Sequence, residues 1–453
     1  MQAPTGPVMS VDTLEGEKGL RGKIADFLAL EPHILGLFAA IFLITLGEQM
    51  WGEFFALYFE ALGGTVLALG VFKSVSDTLD ALLQLPGGML SDKWGRLNAG
   101  ISFVLFGIGG YFIYAVAPSW EVLFLGLIMV QGTSSLLQPT VFAIIGDSIP
   151  PERRTNAFSV QSILKRLPIV IAPMIGGFIF HALGIIEGVR ISLWVTIGIG
   201  FVAVLILYWV RRLDLEQQND YHENVDPRDN RSPMADDTRT EEELDIAPSE
   251  EDPSMTAPPD ETSVSDVPRD TPEKSRLPRR LRALLAADIF ARFGQAMVKA
   301  LLILHVAEVV SLEKIGILIG FQMAIAILSY LPAAAIAERV GKRPVVMVTF
   351  FCFSVYPAAI VFSQSFVMLL IGYFIAGFRE FGEPARKAMI VDRADPKTRG
   401  ENVGLYYTIR SLSIVPASII GAALWLYSPA LAGVAAGLVG FTGLFVFSVF
   451  VRD

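Results

Sequence analysis

Among 453 residues there are one cysteine, four histidines and a charged fraction of only 18%. The lone Cys352 has no partner for an internal disulfide and supplies no thiolate set for zinc. His33, His181, His222 and His305 are scattered, with no HxxxH pair, so metal catalysis lacks ligands and no metal or other cofactor is expected. No Walker-type loop occurs, which removes ATP as a drive; neither an enzyme activity nor a nucleic-acid partner is expected. Charge is too sparse to cover the surface of a soluble chain of this length, with 53% of residues hydrophobic and a mean hydropathy of +0.53. The chain reads as an integral membrane protein.

The net charge of −9 is unevenly spread. Residues 213–275 hold 20 Asp/Glu against 5 Lys/Arg, a net −15, which leaves +6 on the remainder. With eight prolines and a single Tyr, Tyr221, this stretch buries too little apolar surface to offset ordering entropy, so a disordered acidic linker is expected. A spanning helix needs ~20 residues. Twelve such segments follow from the hydropathy pattern: 33–58, 66–90, 98–117, 121–146, 157–183 and 189–210, then 281–308, 314–337, 345–362, 366–391, 401–427 and 429–451. They are numbered spans 1 to 12 below. The expected fold is all-α, with twelve transmembrane helices in two pseudo-symmetric bundles of six, 33–212 and 276–453.

Basic residues set the orientation. Lys93 and Arg96, Arg153 and Arg154, Arg211 and Arg212, Arg279, Arg280 and Arg282, Arg339, Lys342 and Arg343, and Arg393, Lys397 and Arg399 all fall on alternate loops. The other loops carry only Arg190 and Lys314. The positive-inside rule therefore puts both termini and the linker in the cytoplasm of a cell-membrane protein. No secretory signal is expected, because the first apolar run is too long and follows a charged lead. In the cytoplasmic segment 1–32, Leu20, Ile24, Phe27 and Leu28 share a helical face that suits the membrane surface, with a plain disordered tail as the alternative.

The two halves repeat. At an offset of 246, Gly70, Pro86, Asp92, Gly95 and Arg96 meet Gly316, Pro332, Glu338, Gly341 and Lys342. At 245, Gly132, Pro139, Asp147, Lys165 and Gly176 meet Gly377, Pro384, Asp392, Arg410 and Gly421. A duplicated six-helix unit places a substrate site between the halves, near the bilayer midplane.

Between spans 2 and 3 runs Gly87-Gly88-Met89-Leu90-Ser91-Asp92-Lys93-Trp94-Gly95-Arg96. The glycines allow close helix approach and a tight turn, and Asp92 suits the positive end of a neighbouring helix. The stretch resembles the signature loop of the major facilitator superfamily, GxLaDrxGrk, with Leu97 in place of the last basic residue. A degraded copy runs from Pro332 to Arg343. The resemblance implies a cytoplasmic latch of Gly88, Asp92, Lys93, Gly95 and Arg96, echoed by Glu338, Gly341 and Lys342, closing against the start of span 11 at Gly400 to Leu405. On span 5, Ala172-Pro173-Met174-Ile175-Gly176-Gly177 resembles the GPxxGG kink of that superfamily's drug/proton antiporter branch. Pro173, Gly176 and Gly177 are then a bend at the interface, or simple packing. The arginine which that branch carries on helix 4 is absent, Ile128 standing in its place.

Charges inside the spans fall on 1, 2, 5, 7, 10 and 11 and spare the middles of 3, 6, 9 and 12, which the resemblance makes outer supports. Intramembrane charge is costly unless it faces water or a partner, so a central aqueous cavity is expected. Lys73, Asp77 and Asp80 share one face of span 2, and Asp288, Arg292, Gln295 and Lys299 repeat the spacing on span 7. Glu48, Glu53 and Asp80 are candidate proton carriers. Gln49, Lys73, Asp77, Arg166, Arg292, Gln295, Lys299, Arg379, Glu383 and Arg410 are candidate cavity residues. Arg386 and Lys387 read as static salt-bridge formers, and His181 and His305 as structural. At the 246 offset Glu53 corresponds to Lys299, an opposite-charge pair expected to approach in one state and part in another.

These features predict a monomeric secondary transporter working by alternating access, with a small-molecule substrate, protons and the bilayer as partners. The span-5 motif favours proton-coupled efflux of amphipathic drugs or metabolites. The cationic second half favours an organic anion, and a non-transporting receptor or lipid-handling protein is the rival from another class.

Overall fold

The computed structural model describes residues 32–148, 151–224, 277–394 and 399–451; side chains at 32–34, 84–88, 92, 134–135, 137–148, 151–165, 214–224, 279, 331, 334 and 399–401 lie outside that description. The surface segment 18–30, the linker from 225 to 276, and the side chains of Gly88 and Asp92 in the latch are thus outside the described residues.

The first half comprises α1 (Pro32–Gly52), α2 (Phe55–Ala61), α3 (Val66–Trp94), α4 (Arg96–Val116), α5 (Trp120–Ser148), α6 (Pro151–Leu183) and α7 (Ile185–Asn224). The second comprises α8 (Arg279–Val298), α9 (Leu302–Val309), α10 (Leu312–Val340), α11 (Lys342–Val361), α12 (Phe366–Phe378), α13 (Glu383–Arg393), α14 (Arg399–Ile414), α15 (Ala417–Tyr427) and α16 (Pro429–Phe450). These helices compose the twelve expected spans, with spans 1, 7, 10 and 11 each made of two pieces. The duplication is visible in the backbone. α3 and α10 have the same length at the 246 offset, and each ends at a left-handed glycine, Gly95 (φ 83°) and Gly341 (φ 89°). Only a residue without Cβ takes that conformation cheaply, so the sharp turn between spans 2 and 3, and its copy, are encoded by one glycine each.

Five spans differ from expectation. Span 1 breaks at Glu53–Phe54, where Phe54 N–H turns back to Trp51 O at 3.0 Å. Span 7 breaks at Lys299–Leu301 by the same i→i−3 bond, Leu301 N–H to Val298 O at 2.9 Å, and bends by 45°. Pro384 and Pro416 lack the N–H a continuous helix needs, and spans 10 and 11 are interrupted just before α13 and α15. At span 6, α7 runs on to Asn224 instead of ending near 210, because Leu, Glu and Gln are good helix formers and the first proline is Pro227.

Eight described helical stretches are long and apolar enough to cross a membrane alone, and the bent α8/α9 pair makes a ninth. Span 4 is described as an apolar helix only over Trp120–Thr133, span 10 is split into two shorter helices, and span 2 carries Lys73, Asp77 and Asp80. Phe112, Leu205, Leu438 and Phe445, on spans 3, 6 and 12, are exposed apolar side chains suited to lipid.

The halves meet through glycine. A Cβ on Gly177 of α6 would lie 2.7 Å from Leu312 O of α10, and one on Gly316 would lie 2.3 Å from Pro173 O. The duplicate contact joins α3 to α15, where a Cβ on Gly70 would lie 2.6 Å from Ala422 Cβ. Both contacts lie at the end away from the basic loops. Within each half, Gly176 packs on Met50 O and Gly421 on Met297 O, again as equivalents. α6 passes through Pro168 and Pro173 as one helix, so Gly176 and Gly177 serve helix contact.

Candidate substrate cavity

A central cavity of about 650 Å³ lies between the halves, lined from all of spans 1, 2, 7, 8 and 10 and from parts of others. Glu53 and Lys299 sit at the two helix breaks and line it together, with Gln49 and Gln295 one turn before them. Lys73, Arg292 and Arg379 complete its charged lining, along with Glu380. A second chamber of about 320 Å³ shares Lys73, Arg292, Gln295 and Lys299 with the first and adds Asp77, Asp80 and Arg410. Ten of the thirteen carrier and cavity candidates thus line one chamber or the other.

Three do not. Glu48 accepts a hydrogen bond from the Tyr111 hydroxyl and faces span 3. Arg166 stacks its guanidinium 4.7 Å over the Tyr330 ring, joining spans 5 and 8. Glu383 is buried in an ion network whose hub is Asp288, which is 0% exposed. Arg386 Nη1 lies 2.6 Å from Asp288 Oδ2 and its Nη2 2.6 Å from Glu383 Oε1, while Arg292 Nη2 lies 2.8 Å from Glu383 Oε2. The Tyr406 hydroxyl donates to Asp288 Oδ2 at 2.9 Å and Arg410 Nη1 approaches it at 3.6 Å. Two carboxylates and three guanidiniums so share one buried site behind the cavity wall. A lone buried carboxylate would be costly to leave unpaired, and here each charge has an opposite neighbour.

Other charges are local. Lys73 Nζ pairs with Asp77 Oδ1 at 2.7 Å, one turn apart on α3. Glu53 and Lys299 form no ion pair among the described residues, although both line the same cavity. Arg379 gives its Nε–H to Ala376 O at 2.9 Å and stacks 4.8 Å over Tyr356. His181 pairs with Glu313 across the halves at 2.8 Å, and His305 Nε2 lies 3.3 Å from Ser363 O. In the latch region Lys93 is exposed, Glu338 is exposed, and Lys342 pairs with Asp392 at 2.5 Å.

Charge patterning on spans 2 and 7 pointed to the cavity, but it missed the aromatic wall. Trp51, Phe55, Phe72 and Tyr114 line the first chamber, with Phe55 and Phe72 centroids 5.0 Å apart and Trp51 edge-on to Tyr114 at 5.9 Å. Tyr356 and Tyr373 face them from the second half.

Two helical bundles around a charged central cavity are the construction of a secondary transporter. The chain belongs to the major facilitator superfamily of transporters: the family model so described matches residues 37–263 and 284–453. It is a multi-pass membrane protein. The quinolone resistance protein NorA of Staphylococcus aureus is 28% identical over 150 residues, which cover 33% of this chain and 38% of that protein. A Na(+), Li(+), K(+)/H(+) antiporter of Planococcus maritimus is 28% identical over 158 residues, 34% of this chain and 35% of its own. The matched region thus spans little more than a third of the curated relatives. Among solved structures, the peptide transporter POT in complex with sulfate aligns with a TM-score of 0.68 at 16% identity, covering 96% of this chain and 95% of that one. The nucleoside transporter NupG aligns at 0.66 and 11% identity, covering 93% and 100%. These likenesses show the fold.

Proposed function

We propose that the protein is a monomeric, proton-coupled exporter of small amphipathic organic solutes in the cell membrane, working by alternating access. Basic loops on one side put both termini and the acidic linker 213–275 in the cytoplasm, with the linker a solvated spacer between bundles 33–212 and 276–453. The glycine contacts then close the outer end, and the chambers serve the cytoplasmic side.

The observation that carries this reading is the cavity between the halves, with Glu53 at a helix break on its wall and without an ion pair. A carboxylate in such a place takes and releases a proton as its surroundings change. Asp80 in the second chamber stands as a relay between Glu53 and the cytoplasmic end. The partial likeness to a quinolone resistance protein and to a cation/proton antiporter supports export and proton exchange.

The test is proton flux in proteoliposomes carrying an internal pH dye. A panel of amphipathic solutes is expected to provoke proton movement in the wild type and none after Glu53→Gln. Flux unaffected by Glu53→Gln in a folded protein removes Glu53 as carrier, and a panel-wide absence of solute movement would favour the receptor reading.

A further inference from the structure

The central cavity has two unlike faces. On the first half Trp51, Phe55 and Phe72 form an aromatic wall; the 246 offset puts Met297, Leu301 and Leu318 at their places in the second half. On the second half the wall instead carries Lys299 and Arg379, whose counterparts at that offset are Glu53 and Thr133. The duplication has therefore kept the frame while changing the chemistry: the first-half wall is richest in rings, and the second-half wall carries the two cations without an ion pair.

Neither cation is neutralised by the protein. Lys299 and Arg379 make no ion pair among the described residues, whereas the neighbouring Lys73 and Arg292 are each held by a carboxylate at 2.7 and 2.8 Å. Two lining carboxylates are likewise without an ion pair among the described residues: Glu53, and Glu380, which accepts a hydrogen bond from the Tyr330 hydroxyl at 3.2 Å. Two deeply buried polar atoms on the walls also lack partners: Trp51 Nε1, on a side chain 5% exposed, and the Tyr356 hydroxyl, 3% exposed. Buried donors without acceptors are expensive to leave so, and a solute that accepts from them repays that cost.

We propose that the transported solute is an aromatic organic anion. Its acid group lies on Lys299 and Arg379 beside the Tyr356 hydroxyl, and its ring lies on Trp51, Phe55 and Phe72. This assignment rests on the transporter reading but not on proton coupling or direction. A lipophilic cation would have to approach Lys299 and Arg379 to reach the aromatic wall, while an anion relieves both unpaired cations and leaves Glu53 and Glu380 to the water of the cavity. A cavity of about 650 Å³ accommodates a solute of drug-like size.

Titration calorimetry on the purified full-length protein, with no gradient applied, tests it. The probes share one ring system: 1-naphthoate, 1-naphthalenemethanol and 1-naphthylmethylammonium. Naphthoate should bind most tightly and the ammonium least. Lys299→Gln should weaken naphthoate about tenfold or more, and Lys299→Arg should retain it. Phe72→Leu should weaken the acid and the alcohol alike. Tighter binding of the ammonium, no binding of naphthoate, or a Lys299→Gln protein that melts like wild type and binds naphthoate unchanged overturns the proposal. Naphthoate binding without flux in proteoliposomes would leave it standing and break only the transport reading.

Discussion

The two halves of this molecule descend from one six-helix plan, yet they hold their polar groups in different ways. Among the described residues of the first half, polar contacts join Tyr111 to Glu48, Lys73 to Asp77, and Ser76 to Gln131 at 2.9 Å. In the second, Asp288, Glu383, Arg292, Arg386 and Arg410 form one connected buried cluster. Helix continuity differs in the same sense. Spans 4 and 5 are the single helices α5 and α6, whereas their copies, spans 10 and 11, are interrupted before Pro384 and Pro416. What the halves share is glycine at helix contacts; what separates them is the chemistry of the side chains that face inward. Packing positions are constrained by backbone distance and tolerate little change, while cavity positions are free to diverge.

The largest expected effect breaks the second half's cluster. Asp288→Ala leaves three guanidiniums, among them Arg386 at 1% exposed, with Glu383 as the one remaining carboxylate of the cluster and should cost about 3–5 kcal/mol of stability. The corresponding cut in the first half, Glu48→Gln, keeps a hydrogen-bonding partner for Tyr111 and should cost about 1 kcal/mol. A thiol-reactive dye reports both, because Cys352 is buried and becomes available only on unfolding. Equal losses from the two would show that the halves are held alike.

The glycine equivalence can be sharpened next. A Cβ on Gly421 would lie 1.7 Å from Met297 O and one on Gly176 2.0 Å from Met50 O, so both Gly→Ala changes force backbone movement. Each should cost about 1–3 kcal/mol in the same unfolding assay. Gly198→Ala, with open space around it, should be neutral or slightly stabilising, since alanine favours the helix. A harmless Gly176→Ala beside a damaging Gly421→Ala would mean that span 5 is looser than span 11.

The smallest effect concerns Lys73. Its pairing with Asp77 is partly exposed and one turn apart, and Lys73→Met should change stability by no more than about 0.5 kcal/mol. A large loss would show that Lys73 works across the interface, on the second chamber it shares with Arg292 and Lys299.

Much of the frame was legible in the chain. Glycine, proline and charge recur at a nearly constant offset, and helical spacing put Lys73, Asp77 and Asp80 on one face and Arg292, Gln295 and Lys299 on another; all six line the chambers. The breaks that place Glu53 and Lys299 were not legible, because Val298-Lys299-Ala300-Leu301 contains no helix breaker. Their turns are fixed by packing, as when Gly421 presses on Met297 just before the break. Glu48 and Glu383 were misplaced for a related reason: periodicity tells which face of a helix a residue occupies, but not which neighbour that face meets. Phe72 and Tyr114 of the aromatic wall escaped because rings in an apolar helix give no periodic signal that separates a cavity lining from a core.

The contacts closing one end of the bundle, Gly177 on Gly316 and Gly70 on Ala422, are exchanged by the duplication, so they flank the axis that relates the halves. Mechanically they are two bearings of one joint. Each surface is backbone and at most a methyl group, so no interlocking rotamers hold the bundles together at these points. The bearings are not identical, however. His181 clasps Glu313 beside the first, where the second has Leu426 and Leu67. The two sides of the joint therefore differ in chemistry: a partly exposed, ionisable contact flanks spans 5 and 8, and leucines flank spans 2 and 11.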